Sequence, residues 1–187
     1  MNLYEQKKKV FALIEELNPN SEYLTDDVDL QAKINEVINQ KMFELARLKK
    51  IPKYVEMAVQ SGQLLEFADI ESAVGYEVYQ LGTVGGVAYV PRASGTVLKI
   101  LESGTAEIDL FVYPERITDK TKDKAYEFEL SPDVLEIMPY GVAADLLKSD
   151  VSAEYGNVYA QEYERLKNML DPRYQTTTIF IEGGVNI

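Results

Sequence analysis

Two carboxylates have a spacing that could support catalysis. Glu107 and Asp109 lie two positions apart in a segment of alternating polarity, so a strand there would place both on one face. Glycoside hydrolysis uses two carboxyl groups about 5–9.5 Å apart. Alternating solvent-exposed acids give the same spacing, and the chain has no histidine for proton transfer and no tryptophan to stack on a sugar. We therefore interpret the pair as exposed acids and expect that the protein is not an enzyme.

Two further segments resemble binding motifs but lack residues that those motifs require. The run Gly82–Gly86 lies between two predicted strands and is not followed by Lys and Ser or Thr, so it favours a hairpin turn over a phosphate-binding loop. The run Asp26–Asp29 could begin a calcium loop, but the central glycine is missing and Val37 stands where a bidentate glutamate is needed. Such acids favour a helix N-terminus instead. We expect no metal and no cofactor.

The composition excludes several classes of function. The 187 residues include 19 basic and 31 acidic side chains, and the formal net charge of −12 argues against tight binding to nucleic acid or to an anionic membrane. The absence of cysteine and histidine excludes thiol nucleophiles, disulfides and thiolate or imidazole metal sites. No apolar run approaches the roughly 20 residues that span a bilayer, and none near the start suits a secretion signal. With 46% hydrophobic residues the chain can bury a core.

Hydrophobic residues recur with a period of 3.6 in four segments, which predicts four helices. The predicted helices cover residues 3–17, 26–50, 132–148 and 151–170. Their predicted N-caps are Asn2 with Glu5, Thr25 or Asp26, Ser131 followed by Pro132, and Asp150.

Between the second and third predicted helices the hydrophobic period changes to two, which predicts β structure over residues 54–130. The predicted strands cover residues 76–81, 87–90, 97–101, 108–113 and 126–130, with turns at 82–86 and 91–95. The expected fold class is α+β. Residues 1–53 and 131–172 would form a four-helix bundle, residues 54–130 a small antiparallel β module inserted into it, and residues 173–187 an extended C-terminal arm.

Two sets of residues are candidates for an interface with another subunit or partner. The C-terminal segment from 176 to 187 is rich in β-branched residues and either frays or pairs with a sheet edge; its apolar side chains favour pairing. The arm candidates are Thr178, Ile179, Phe180, Ile181, Val185 and Ile187. In the last helix, Tyr155, Tyr159 and Tyr163 recur at helical spacing, which is typical of packing, including packing at an interface.

Four segments in the second half of the chain share a recognisable style of sequence: Glu107–Thr118, Tyr126–Asp133, Glu136–Leu147 and Tyr159–Leu166. Together they resemble the head-to-tail adaptor proteins of tailed bacteriophages. The likeness covers roughly residues 100–170. Met138 stands where leucine is expected before the proline, and residues 54–101 do not align.

The resemblance implies a structural subunit of a homo-oligomeric ring, typically dodecameric. Such a ring lies beneath the portal protein, joins the capsid to the tail or to other connector proteins, and lets DNA pass without sequence-specific binding. The implied location is the head–tail junction of the virion, with the host cytoplasm during assembly and no contact with a membrane. No catalytic residues come with this resemblance. The alternative from the residues alone is a non-enzymatic carbohydrate- or protein-binding β module on a helical stalk.

Overall fold

The computed structural model describes residues 1–92, 95–149 and 153–170. The helices are α1 (Leu3–Leu13), α2 (Val28–Leu48), α3 (Phe67–Val74), α4 (Pro132–Leu146) and α5 (Ala153–Leu170), and a 3₁₀ turn at Leu147–Ser149 follows α4. The strands are β1 (Ile51–Val59), β2 (Leu64–Glu66), β3 (Val78–Gly85), β4 (Tyr89–Arg92), β5 (Val97–Ile100) and β6 (Gly104–Val112).

Helix α1 begins at the predicted capping box. The Glu5 amide donates to Asn2 Oδ1 at 2.9 Å, and the Asn2 amide donates back to Glu5 Oε2 at 3.0 Å. The helix ends at Leu13 and does not continue to residue 17 as expected. Its end is fixed by Glu15, whose φ of 62° lies in the left-handed region and is incompatible with a right-handed helix.

The other helix boundaries follow local capping chemistry. The N-cap of α2 is Asp27, whose carboxylate accepts from two backbone amides, so the expected cap at Thr25 or Asp26 is wrong by one or two residues. Helix α4 begins as predicted, with Ser131 as N-cap and Pro132 in the first turn. The predicted cap Asp150 lies outside the described residues.

The strands form two three-stranded antiparallel sheets. The first has the order β1-β6-β3 and the second the order β2-β5-β4. Strand β1 pairs with β6 along its whole length, from Ile51 opposite Val112 to Val59 opposite Gly104. The ladder between β3 and β6 shifts register twice, as β-bulges do.

The expected four-helix bundle with one inserted β module is wrong. The described residues include a fifth helix, α3, and two small sheets, so the fold is mixed α+β. The 3.6 period of Phe67, Ile70 and Val74 fits α3 but spans only eight residues inside a segment assigned entirely to β structure. Left-handed Gly75 follows the helix and ends it.

Two details of the expected β segment also differ. The predicted strand 126–130 forms only a single bridge, between Glu127 and Asn2. The predicted turn 82–86 is instead largely strand, because β3 continues to Gly85. Gly86 allows the backbone to approach β6 closely. A Cβ on this residue, which has φ +77°, would lie 2.2 Å from the Thr105 carbonyl oxygen.

Helix α4 is the centre of the helical part of the fold. It packs against α1, α2 and α5, and its residues Met138 and Val142 are fully buried. The buried side chains of the helices belong to the same hydrophobic cluster as those of both sheets, including Ile108 and Leu110 of β6. The division of the chain at residues 53/54 and 130/131 stays a prediction.

The connections between sheet and helix are polar as well as apolar. The Tyr79 hydroxyl of β3 donates to the Ala46 carbonyl of α2 at 2.9 Å. After β6, the chain is held to α2 by Asn39, whose buried amide donates to the Ile117 carbonyl at 2.8 Å and accepts from the Ile117 amide at 2.9 Å. These bonds fix the first sheet against the C-terminal half of α2.

Candidate interaction surfaces

The three tyrosines of α5 have different environments. Tyr163 is 3% exposed, and its ring lies against Gly141 of α4, where an added Cβ would come within 2.8 Å of Tyr163 Cε2. The ammonium groups of Lys41 and Lys167 lie 5.0 and 5.1 Å from the ring centroid, within the range of cation–π attraction. Burial raises the pKa of the Tyr163 hydroxyl, and the neighbouring Glu44 carboxylate adds to this effect. The Tyr163 ring therefore packs inside the chain, between α2, α4 and α5.

Tyr159 and Tyr155 lie progressively closer to solvent. The hydroxyl of Tyr159, which is half-buried, donates to the Leu13 carbonyl and so ties α5 to the last residue of α1. Tyr155 is 69% exposed. Both rings border a pocket of about 180 Å³ between α1 and α5, whose other walls include Ile14 and Leu147. Of the three predicted tyrosines, Tyr155 is the one available for contact with another chain.

Helix α5 exposes apolar side chains on its outer face, defined here by Tyr155, Val158, Glu162, Arg165 and Met169. Val158 is 62% exposed and Met169 is 60% exposed. At 100° per residue all five positions fall within about 80° of one another. Glu162 and Arg165 form a bidentate ion pair, with nitrogen–oxygen distances of 2.7 and 2.8 Å. The outer face therefore has exposed apolar groups on either side of an ion pair.

A network of ion pairs lies beside Tyr163 and joins the helices. Lys41 of α2 is 2.8 Å from Asp145 of α4, and Lys167 of α5 is 2.8 Å from Glu44 of α2. Burial by itself raises the pKa of Asp145, but hydrogen bonds from Lys148 and Lys41 outweigh it, so the pKa is lowered from its usual value. The pKa of Glu44 is lowered in the same way, with burial opposed by the hydrogen bond from Lys167. Both carboxylates stay ionised at neutral pH and hold the helices together.

The predicted acid pair lies on the solvent face of the first sheet. Glu107 and Asp109 are exposed on β6, and Glu107 is directly opposite Glu56 of β1. Asp109 accepts a hydrogen bond from the Thr83 hydroxyl. The hydrogen bond that the Tyr54 hydroxyl donates to Glu56 raises the pKa of Tyr54 to about 12. We call Glu56, Glu107 and Asp109 the acidic face.

The acidic face has the character of a charged surface. Like charges directly opposite each other in an antiparallel pair destabilise the sheet. Within the described ranges, no group of three or more acidic side chains is arranged to hold a metal ion. Its contribution is a local negative potential on one side of the β structure.

A cleft of about 400 Å³ separates the edge of the first sheet from the second sheet. Strand β3 forms one wall, and β4 and β5 form the other. Apolar side chains line most of it: Phe67, Leu81, Val84, Tyr89 and Leu98. We call this feature the β3–β4 cleft. The sequence does not reveal it, because its walls come from separate segments that only strand pairing brings together.

Helical spacing could have identified the outer face of α5 from the sequence. Val158 follows Tyr155 by three residues in a strongly polar helix, so the two side chains lie on the same side of it. The prediction considered only the tyrosines and therefore missed Val158. The other predicted interface residues lie outside the described part of the chain. They are Thr178, Ile179, Phe180, Ile181, Val185 and Ile187.

The comparisons with known proteins identify no family. No family model matches the chain, and no curated protein matches it either. Of the helices that the structure describes, none combines the length and the hydrophobicity needed to cross a membrane.

Proposed function

We propose that this chain is a structural subunit of the connector ring between the head and the tail of a tailed bacteriophage. The proposal starts from the resemblance of residues 100–170 to head-to-tail adaptor proteins. In the structure this part of the chain supplies β6, α4 and α5, which include the central helix of the fold and the helix with the exposed apolar face. The partners would be further copies of the chain, the portal protein above the ring and tail or connector proteins below it.

The outer face of α5 carries the proposal. Tyr155 and Val158 are more than 60% exposed on one side of a helix whose other side is buried against α4. Exposed apolar groups on one face of a helix are typical of protein–protein contact surfaces. In a closed ring the contact is heterologous, so this face of one subunit packs against a different face of the next.

The charge distribution supports passage of DNA without binding. A channel wall must not hold the phosphate backbone, and clustered lysine and arginine would do so. The net charge of −12 and the opposed Glu56 and Glu107 of the acidic face produce repulsion instead. The acidic face would therefore lie toward the channel, or toward a basic partner surface at its rim.

The first experiment measures the mass of the full chain in solution by light scattering over a range of concentrations. A ring of twelve 21.1 kDa subunits has a mass of about 250 kDa, and electron microscopy would show annular particles. The variant Val158→Glu places a charge in the contact and should shift the mass toward 21.1 kDa. The matched control is Val28→Glu, which adds the same charge at a position that is 72% exposed on α2.

The second experiment concerns tailed particles that contain the chain. Quantitative mass spectrometry should give about twelve copies per particle, as closed twelve-fold symmetry requires. Antibody labelling should place them at the head–tail junction. A chain that stays a monomer in solution and is absent from that junction would contradict the proposal and favour a free binding module.

A further inference from the structure

We infer that the β3–β4 cleft receives residues 176–187 of a second copy of the chain. The contact rests on the proposed connector function, because it would join neighbouring subunits of the ring. The inference identifies the surface on which the C-terminal segment would bind, which the proposed function does not specify.

The cleft has the chemistry of an incomplete β sandwich. Leu81 and Val84 of β3 and Tyr89 of β4 pack against the core but are only half-buried, because nothing among the described residues closes the cleft above them. Each of the two strands is the last in its sheet, so each presents an edge. An added strand would cover the apolar walls and pair with one of these edges.

The edge offered for pairing is that of β3. The amide of Leu101 donates to the carbonyl of Ala88, so alternate residues from Ala88 onward, including Val90, face β5. Pro91 then faces outward, and it has no N–H to donate to an added strand. Strand β4 is thereby a protected edge. Strand β3 is eight residues long and contains no proline.

The C-terminal segment fits such a site. Residues 176–181 read Thr-Thr-Thr-Ile-Phe-Ile, all β-branched or aromatic. From 176 to 187 the only charged side chain is that of Glu182, and proline is absent. In an extended strand Ile179 and Ile181 point to one side. They match the apolar walls of the cleft, whose described lining includes no charged side chain.

The geometry favours the arm of a second copy over that of the same chain. Lys167, in the last turn of α5, bonds Glu44 of α2, whereas Tyr79, near the start of β3, bonds Ala46. Glu44 and Ala46 point about 200° apart around α2, so the two contacts are on nearly opposite sides of that helix. The chain's own arm would therefore have to pass around α2 before it reached β3, and an arm that then paired from the beginning of β3 would run parallel to it. Antiparallel pairs are more stable and more frequent.

An antiparallel arm from the same chain would have to enter at the far end of β3, near Gly85. That end is about 23 Å from Val78 at the usual strand rise. Residues 171–175 span about 20 Å when fully extended from Leu170, so they fall short of it. The arm of a neighbouring subunit can enter there without this constraint.

The test uses disulfide cross-linking of the full chain, which has no natural cysteine. Gln80 of β3 is exposed and lines the cleft, so Gln80→Cys places a thiol at the receiving edge. Thr178→Cys places the second thiol on the arm, and Phe180→Cys does so on the same side of an extended strand. The control replaces Gln80→Cys with Ala58→Cys, an exposed position on β1 at the opposite edge of the same sheet.

A one-to-one mixture of Gln80→Cys and Thr178→Cys chains should give a cross-linked dimer on a non-reducing gel after mild oxidation. The double variant should give a ladder of covalent oligomers, and the Ala58→Cys control only background. An internally cross-linked monomer, or equal cross-linking in the control, would overturn the inference. Rings or particles that form without the Gln80–Thr178 cross-link would refute this contact alone. Cross-linked chains absent from the head–tail junction would refute the connector function alone.

Discussion

Replacing Gly141 by alanine tests whether Tyr163 is seated within the subunit as the structure describes. An alanine Cβ at this position would lie 2.8 and 2.9 Å from two carbons of the Tyr163 ring and 3.1 Å from Lys41 Cδ. Ordinary van der Waals contact begins near 3.4 Å, so the ring must move by about half an ångström. Because the ring is buried between three helices, that movement disturbs close packing.

The expected magnitude is the difference between two effects. Alanine in place of glycine inside a helix stabilises by about 1 kcal/mol. Overpacking of a filled core costs about 1–3 kcal/mol. We expect Gly141→Ala to lower the free energy of unfolding by up to about 2 kcal/mol, which corresponds to a fall in Tm of at most about 4–8 °C for a chain of this size.

The assay is urea unfolding followed by circular dichroism, with Gly156→Ala as the matched control. A Cβ on Gly156 of α5 would meet its nearest atom, Leu147 Cβ, at 3.2 Å, so its packing cost should be smaller than at Gly141 while the gain in helix propensity is the same. In a Tyr163→Leu background the cost of Gly141→Ala should shrink, since the ring is gone. If Gly141→Ala stabilises the protein as much as Gly156→Ala does, the ring does not lie against α4 and the reasoning fails.

Three further outcomes follow from buried polar groups. Tyr163→Phe should change the free energy of unfolding by less than about 0.5 kcal/mol in urea, because the buried hydroxyl lies near the Glu44 carboxylate but makes no well-formed hydrogen bond among the described residues; a loss above about 1.5 kcal/mol would show that it does bond Glu44. Asn39→Ala should cost about 2–4 kcal/mol in the same assay, since it leaves both the amide and the carbonyl of Ile117 unpaired; an effect under about 1 kcal/mol would contradict that role. The lowered pKa of Asp145 contributes stability above its ordinary value of 3.8, which is lost as the pH falls through the folded pKa. Unfolding measured from pH 6 to pH 3 should therefore depend less on pH in Asp145→Asn, and unchanged dependence would exclude the pairs with Lys148 and Lys41 as its cause.

The starts of α1 and α4 were predictable because they depend on local chemistry. The capping box at Asn2 and the Ser131–Pro132 start are encoded within four residues of sequence. The early end of α1 was not predictable, because hydrophobic residues continue past the point where Glu15 takes a left-handed conformation. Periodicity reports which side is buried and says little about where a helix stops.

The failure at residues 126–130 has a similar origin. Phe128 and Leu130 are buried as the alternating pattern requires. The segment nevertheless packs against helices and forms only one bridge, to Asn2. Alternation of apolar and polar residues indicates an extended chain with one buried side. It does not show whether a neighbouring strand is present to pair with that chain.

The tyrosines of α5 show why the candidate surface was only partly predictable. Positions four residues apart differ by 40° around a helix, so Tyr155 and Tyr163 differ by about 80°. Because of that rotation, Tyr155 is exposed to solvent whereas Tyr163 is buried. Exposure of Glu107 and Asp109 was predictable because the two-residue period of a strand has no such drift.

The contacts of α1 constrain the order in which the chain can fold during synthesis. The Leu3 and Tyr4 amides donate to the carbonyls of Tyr126 and Asp123, and buried Gln6 donates to the carbonyl of Leu135. An isolated helix of 11 residues is too short to be stable in water. At about 5–20 residues per second, α1 leaves the ribosome several seconds before its partners are made. The first helix of the chain is therefore among the last to be completed, and its apolar side stays exposed to chaperones until α4 emerges.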